Sequence, residues 1–277
     1  MKESPRSTAI IGLGLMGGSL ARDLAAAGVR ISASDRDRNV VEAAINAGIV
    51  TESLDESLRG VSTAELIVIA TPVDSALEAL DAIAEHAAPD AVITDVGSVK
   101  RSIEARALKL GMGARFAGSH PLAGDHRSGW GAARDSLYAG APVFVCPTVE
   151  TTPEALQVVR TLWGQVGAVV EEIDAADHDH RMAWMSHLPQ IVSTALANAL
   201  SRSDYTAEQL GPGGRDTTRL AASSPDLWAA ISSANADYIR DALDDLGAAV
   251  NAFRNALDRA DTEELRALFD QARRWRS

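Results

Sequence analysis

The chain has 277 residues, 46% of them hydrophobic and 23% charged, enough for one large core or two modest ones. Its 26 basic and 38 acidic residues give a formal net charge of −12, which argues against nucleic acid or an anionic membrane surface as partner and leaves any anionic ligand to a few local cations. The single cysteine, Cys146, excludes an intrachain disulfide and a multi-cysteine metal site; with no apolar run of membrane-spanning length, it points to a soluble protein of the reducing cytoplasm.

The first predicted elements are a short apolar strand, Ala9 to Ile11, and a helix from Leu15 to Ala27, joined by Gly12, Gly14 and Gly17. Strand, glycine turn and helix follow in the order that a dinucleotide phosphate site requires. Gly12 makes the turn, Gly14 lets the backbone approach a pyrophosphate, and Gly17 lets the helix pack close on its strand. Leu15 and Met16 open the helix, whose N-terminus offers N–H donors and a positive dipole end. A second strand, Arg30 to Ser34, ends on Asp35, whose carboxylate can hold both ribose hydroxyls and repels a 2′-phosphate. This points to NAD as cofactor. Arg36, next in the chain, could reach such a phosphate and leaves NADP as an alternative.

Strands and helices continue to alternate. A helix over Asn39 to Ala47 closes on Gly48. The unbroken apolar run Ala64 to Ala70 predicts a strand covered on both faces, ending at Thr71 and Pro72, with a helix from Asp74 to His86. A fourth strand, Ala91 to Thr94, leads through Ser98 into a helix over Val99 to Leu110; a fifth, Arg115 to Ala117, ends at His120, and a sixth runs from Pro142 to Val145. Gly12, Asp35, Thr71, Ser98 and His120 are then expected past strand ends, on the one edge where open α/β sheets bind ligands.

Thr152 and Pro153 start a helix, and Ala168 to Ile173 alternates as a strand. From Ala175 the pattern is helical. A long helix over Ala176 to Leu200 should break near Pro189. Ser224-Pro225 opens another, whose apolar stripe from Leu227 to Leu257 is too long for one small core and predicts contact with a partner subunit. Thr262 caps the last helix. The reading divides the chain into residues 1–173, nucleotide-binding, and 174–277, helical.

Six stretches, GLGLMGGSLA (12–21), ATPV (70–73), TDVGSVK (94–100), GSHPLAG (118–124), SHLPQ (186–190) and DTTRLAASSPDLW (216–228), make the chain resemble the prephenate/arogenate dehydrogenase family of tyrosine biosynthesis. The resemblance implies an α/β Rossmann-type dinucleotide-binding domain followed by an all-α substrate and dimerisation domain, in a 6-phosphogluconate dehydrogenase-like arrangement, and hence a homodimer. It also implies oxidative decarboxylation of a cyclohexadienol, with NAD(P)⁺ taking hydride from the carbinol carbon while CO₂ leaves the opposite ring carbon.

His120 is the first catalytic candidate, because a neutral imidazole can accept the substrate hydroxyl proton and its ordinary pKa of ~6.5 suits that work at neutral pH. By the same resemblance Ser98 orients His120 and the substrate hydroxyl, although a serine there can equally cap the helix that follows. Arg219 matches the family arginine that pairs with substrate carboxylate, with Arg215 as the second candidate; a planar guanidinium suits bidentate binding. His187 beside the Leu-Pro break is read either as a substrate contact or as a hydrogen-bonded core histidine. Gln190 stands where relatives often carry His, and the pair Asp125-His126 departs from the acidic residue common there; His126 is expected to face the substrate side chain and to favour prephenate over arogenate. Trp228 reads as core. His178 and His180, at i and i+2 on a helix, diverge, so no metal is assigned. Two rival readings remain. A β-hydroxyacid dehydrogenase would need a catalytic lysine in its second domain, and no lysine follows Lys109. A non-catalytic NAD-sensing module would have no use for His120 and Ser98.

Overall fold

Five short strands form a wholly parallel sheet in the order β3-β2-β1-β4-β5, where β1 is Ser7–Ile11, β2 Arg30–Ser34, β3 Glu52–Ser53, β4 Leu66–Ile69 and β5 Val92–Asp95. In β4 alternate side chains enter different cores. Leu66 and Val68 join Ile10, Leu20 and Trp163 on one face, while Ile67 and Ile69 join Leu80, Ile83 and Ile103 on the other. This is why the strand reads as an unbroken apolar run. Each such buried aliphatic side chain contributes about 1.5–3 kcal/mol. Its strands are joined by the helices α1 (Leu15–Ala26) and α2 (Arg38–Asn46), a 3-10 turn (Arg59–Thr63) and α3 (Val73–His86), and α4 (Arg101–Lys109) follows β5.

The computed structural model describes residues 5–124 and 127–277. Its chain divides into two compact units, one ending at Met182 and taking in Ser223–Ala234, the other made of Ala183–Ala222 and Asn235–Ser277.

The first unit carries a second sheet that the sequence reading did not separate. Strand β6 (Ala117–Pro121) pairs antiparallel with β7 (Pro142–Pro147), which pairs parallel with β8 (Val169–Glu172). A single parallel bridge, Ile93 to Phe116, links it to β5. His120 therefore lies within a strand rather than on a loop beyond one. Helix α5 (Pro153–Gln165) starts as expected, with the Thr152 hydroxyl accepting from the Ala155 N–H at 3.2 Å. Helix α4 starts two residues later than expected, after Lys100, so Ser98 is not its cap.

The helical stretch from 175 to 200 is α6 (Ala175–Met182), one π turn (Ala183–His187) and α7 (Leu188–Leu200). Pro189 sits in the first turn of α7; with no N–H to give to the preceding turn, it fits the wider π turn there. The predicted long helix after Pro225 is broken in two: α9 (Pro225–Ala234) belongs to the first unit and α10 (Ala236–Asp258) to the second, with fully buried Asn235 between them. Preceding them is α8 (Pro212–Thr218), and α11 (Thr262–Arg276) ends the chain. Asp261, not Thr262, caps α11, its carboxylate accepting from the Glu264 N–H at 3.0 Å. Val250, Leu257, Phe269 and Trp275 of α10 and α11 are exposed. No helix among the described residues is long and apolar enough to cross a membrane.

Candidate functional site

The glycine turn after β1 is built so tightly that side chains are excluded from it. Gly12 has φ +97°, and a Cβ there would lie 2.6 Å from the Ala70 carbonyl oxygen; a Cβ on Gly17 would lie 1.9 Å from the Gly12 carbonyl oxygen. Gly14 differs, because nothing lies within 4 Å of its Cβ position. There the backbone is open to a ligand, at the end of α1, whose first turn has no side-chain cap. The Thr71 hydroxyl, buried beside Gly12, has no hydrogen-bond partner among the described residues. Open backbone, uncapped N–H groups of Leu15 and Met16 and an orphaned hydroxyl fit a pyrophosphate.

Asp35 follows β2 and closes the same edge. One carboxylate oxygen accepts from the Leu13 N–H at 2.7 Å and the other from the Asp37 N–H at 3.0 Å. Asp35, exposed Arg36 and Thr71 line one groove, a place for a ribose and its base, whereas Pro72 is the exposed residue just before α3.

His120 is brought to this region by its strand. Four residues on, Gly124 lies against the start of α1, its Cβ position 3.8 Å from Leu15 and 3.9 Å from Met16. Beneath β6 is a buried polar network. Ser119 Oγ lies 2.8 Å from Thr94 Oγ1 and accepts from Trp163 Nε1 at 2.9 Å. Lys100, 1% exposed, pairs with Asp95 and donates from Nζ to the Ser119 carbonyl at 2.7 Å. Asp95 also accepts from the Gly97 and Ser119 N–H groups at 2.8 Å and 3.3 Å, tying the end of β5 to β6. Ser98, half-buried, lies in the bend between β5 and Lys100.

The sequence reading missed the partner of His120. Its Nδ1 lies 2.8 Å from Nε2 of His178, and Nδ1 of His178 lies 2.8 Å from Oδ1 of Asp179. His178 and Asp179 are both fully buried. The carboxylate of Asp179 accepts from the Lys100 N–H at 2.8 Å, the Arg101 N–H at 3.0 Å and Arg101 Nε at 3.3 Å. Burial works against its ionised form, but the hydrogen bonds from His178, Arg101 and Lys100 hold its carboxyl below the usual range. Burial, with Lys100 nearby, pushes His178 below the usual imidazole value despite its bond to Asp179. The signal available in sequence was the adjacent His-Asp pair itself, which a search for metal-ligand spacing passes over.

In the second unit the predicted contacts are of two kinds. His187, at the end of the π turn, and Gln190 are buried: Asn235 Nδ2 donates to His187 Nδ1 at 3.1 Å, and Gln190 Nε2 donates to the Leu220 carbonyl at 2.7 Å. Arg215 gives Nε and Nη2 to the carbonyls of Leu210 and Glu208. Arg219, on a single 3-10 turn, is exposed and has no ion-pair partner among the described residues. Trp228 packs with Val73, Val99 and Ile231 in the first unit. Asp125 and His126 lie outside the described residues.

Residues 20–172 match the family described as prephenate dehydrogenase, nucleotide-binding domain, and residues 174–271 the one described as prephenate dehydrogenase, dimerization domain. Prephenate dehydrogenase of Bacillus subtilis is 32% identical, over 100% of this chain and 76% of its own length. The crystal structure of prephenate dehydrogenase from Aquifex aeolicus, in complex with hydroxyphenyl propionate and NAD⁺, has a TM-score of 0.91 at 30% identity and covers 100% of this chain and 99% of that one. Synechocystis arogenate dehydrogenase has a TM-score of 0.84 at 31% identity, with 98% of each chain covered.

Proposed function

The chain belongs to the prephenate dehydrogenase family, and from that premise we propose that it oxidises prephenate to 4-hydroxyphenylpyruvate with release of CO₂, using NAD⁺, as a homodimer. The observation that carries the reading is the pairing, within one compact unit, of a glycine turn open to a pyrophosphate at Gly14 with a strand-borne imidazole, His120, backed by a buried acid.

Bound NAD⁺ supplies the hydride acceptor. Gly12, Gly14 and Gly17, with the N–H groups of Leu15 and Met16 and the Thr71–Pro72 turn, hold the pyrophosphate. Asp35 holds the adenosine ribose and disfavours NADP⁺. His120 accepts the proton of the substrate hydroxyl as the carbinol carbon is oxidised, and Ser98 orients that hydroxyl. The electron pair released when the carboxylate leaves as CO₂ completes the aromatic ring as a phenolate, which takes its proton back from His120. On an acidic chain the substrate carboxylates need specific cations, and Arg219, exposed and uncommitted to an ion pair among the described residues, suits that role better than Arg215, whose guanidinium is spent on carbonyls. His187, Gln190 and His126 are the further candidates for contact with substrate. The exposed Val250, Leu257, Phe269 and Trp275 support pairing of two chains through the helical unit.

Arogenate, whose side chain bears an ammonium, is a second reading, favoured by the likeness to Synechocystis arogenate dehydrogenase. Following NADH formation with prephenate and arogenate, each with NAD⁺ and NADP⁺, tests both. Faster turnover of prephenate with NAD⁺ is expected; turnover of neither substrate would overturn the proposal.

A further inference from the structure

We propose that His178 and Asp179 are positioning residues that fix the tautomer of His120, placing its hydrogen on Nδ1 and its lone pair on Nε2, the nitrogen that takes the substrate proton. The inference rests on the function proposed above for His120 and adds how the imidazole is held ready.

The assignment follows from donors and acceptors taken from the inside outward. Asp179 already accepts from the Lys100 N–H, the Arg101 N–H and Arg101 Nε, so it is an ionised acceptor with no hydrogen to offer. His178 Nδ1, 2.8 Å away, must therefore be the donor. The groups around His178 are Asp179 on its own helix, Lys100 ahead of α4, Asp95 at the end of β5 and the ring of Phe144 on β7, with ring centroids 5.6 Å apart and an edge-on geometry. The Arg181 guanidinium covers the Phe144 ring at 4.8 Å. Burial and the Lys100 charge keep this imidazole neutral, so with its hydrogen on Nδ1 its Nε2 is an acceptor. His120 Nδ1, 2.8 Å from that Nε2, must then be the donor. Two successive hydrogen bonds transmit the charge of Asp179 into the choice of tautomer at His120.

The same chain serves the reaction. When the substrate O–H bond breaks and its proton joins Nε2 of His120, no second proton has to move. The imidazolium keeps its Nδ1 hydrogen on His178, and that bond becomes charge-assisted, with Asp179 behind it. A purely structural role, in which Asp179 anchors α6 to the start of α4, would account for the bonds to Lys100 and Arg101 but not for the link from His178 to His120.

The test reads the tautomer and the rate separately. Nitrogen NMR of the ¹⁵N-histidine-labelled wild-type chain, with the His120 signals identified by their loss in His120→Asn, should show a protonated Nδ1 and a pyridine-like Nε2; a protonated Nε2 on neutral His120 would overturn the proposal. In kinetics, His178→Phe keeps a planar ring but removes the acceptor, and kcat should fall about a hundredfold while KM for substrate and Kd for NAD⁺ change less than about twofold. His178→Gln, whose amide oxygen can stand where Nε2 stood, should recover at least about tenfold of that loss. A kcat for His178→Phe within about threefold of wild type, or a Gln variant no better than Phe, would refute the role. The NMR measurement decides the matter if the Phe variant does not fold. A wild-type chain that oxidises neither prephenate nor arogenate would overturn the proposed function instead, leaving the NMR result to judge the tautomer.

Discussion

His120 and His187 each have Nδ1 engaged by a neighbouring side chain, and the two partners differ in kind. Asn235 presents an amide N–H to His187, so Nδ1 of that ring accepts and a neutral His187 carries its hydrogen on Nε2. His178 presents, by the inference above, a lone pair to His120, which therefore carries its hydrogen on Nδ1. The Nε2 atoms of the two rings are thus chemically opposite, one a base and the other a hydrogen-bond donor. Both histidines stand just ahead of a proline in similar-looking sequence, Ser119-His120-Pro121 and Ser186-His187-Leu188-Pro189. What separates them is a partner distant in sequence, 58 residues from His120 and 48 from His187.

The contrast breaks most sharply on kcat. His120→Asn should lose about 10²–10⁴ in turnover with NAD⁺ affinity retained, because the amide holds a hydrogen bond but takes no proton. Steady-state rates on both single variants check this, and an equal kcat loss in His187→Asn would erase the distinction. Next comes Arg219→Ala, which should raise KM for substrate roughly tenfold to a hundredfold, worth about 1.5–3 kcal/mol, with the melting temperature unchanged. A lowered melting temperature with normal KM would make Arg219 structural. His187→Leu leaves the buried Asn235 amide without its acceptor and should cost about 1–3 kcal/mol in urea unfolding.

The smallest effect is a slope. Burial pushes the His178 pKa below its ordinary value, so between the two values the unfolded chain binds a proton that the folded chain does not. Stability must then rise with pH through the ordinary imidazole range and be lost as pH falls below it, by at most about 1.4 kcal/mol per pH unit. Unfolding free energies at about pH 5 and pH 7 should show this slope in wild type and a shallower one in His178→Gln; identical slopes would mean that His178 does not fold as the neutral form.

The nucleotide edge was legible because its constraints are local. Only glycine survives a Cβ position 1.9 Å from backbone at Gly17, and only strands covered on both faces read as Leu66-Ile67-Val68-Ile69. The break at Asn235 was not, because one polar residue inside an apolar stripe looks the same whether it faces water or a buried His187. Strand β6 was cut short at Ala117, since Gly118, Ser119 and Pro121 disfavour strands unless tertiary bonds such as that from Trp163 to Ser119 hold them. His178 was weighed only against His180 on its own helix, while its partners are His120 on β6 and the adjacent Asp179.

The spacing of those partners also orders events during synthesis. All the glycines of the nucleotide turn have been made by residue 17, but His120 has to wait a further 58 residues for His178. At about 5–20 residues per second, that is a delay of roughly 3–12 s. The core behind that turn, however, takes in Trp163 beside Ile10 and Leu20, so the packing of the coenzyme edge and the orienting of its base are both completed late in the synthesis of the first unit.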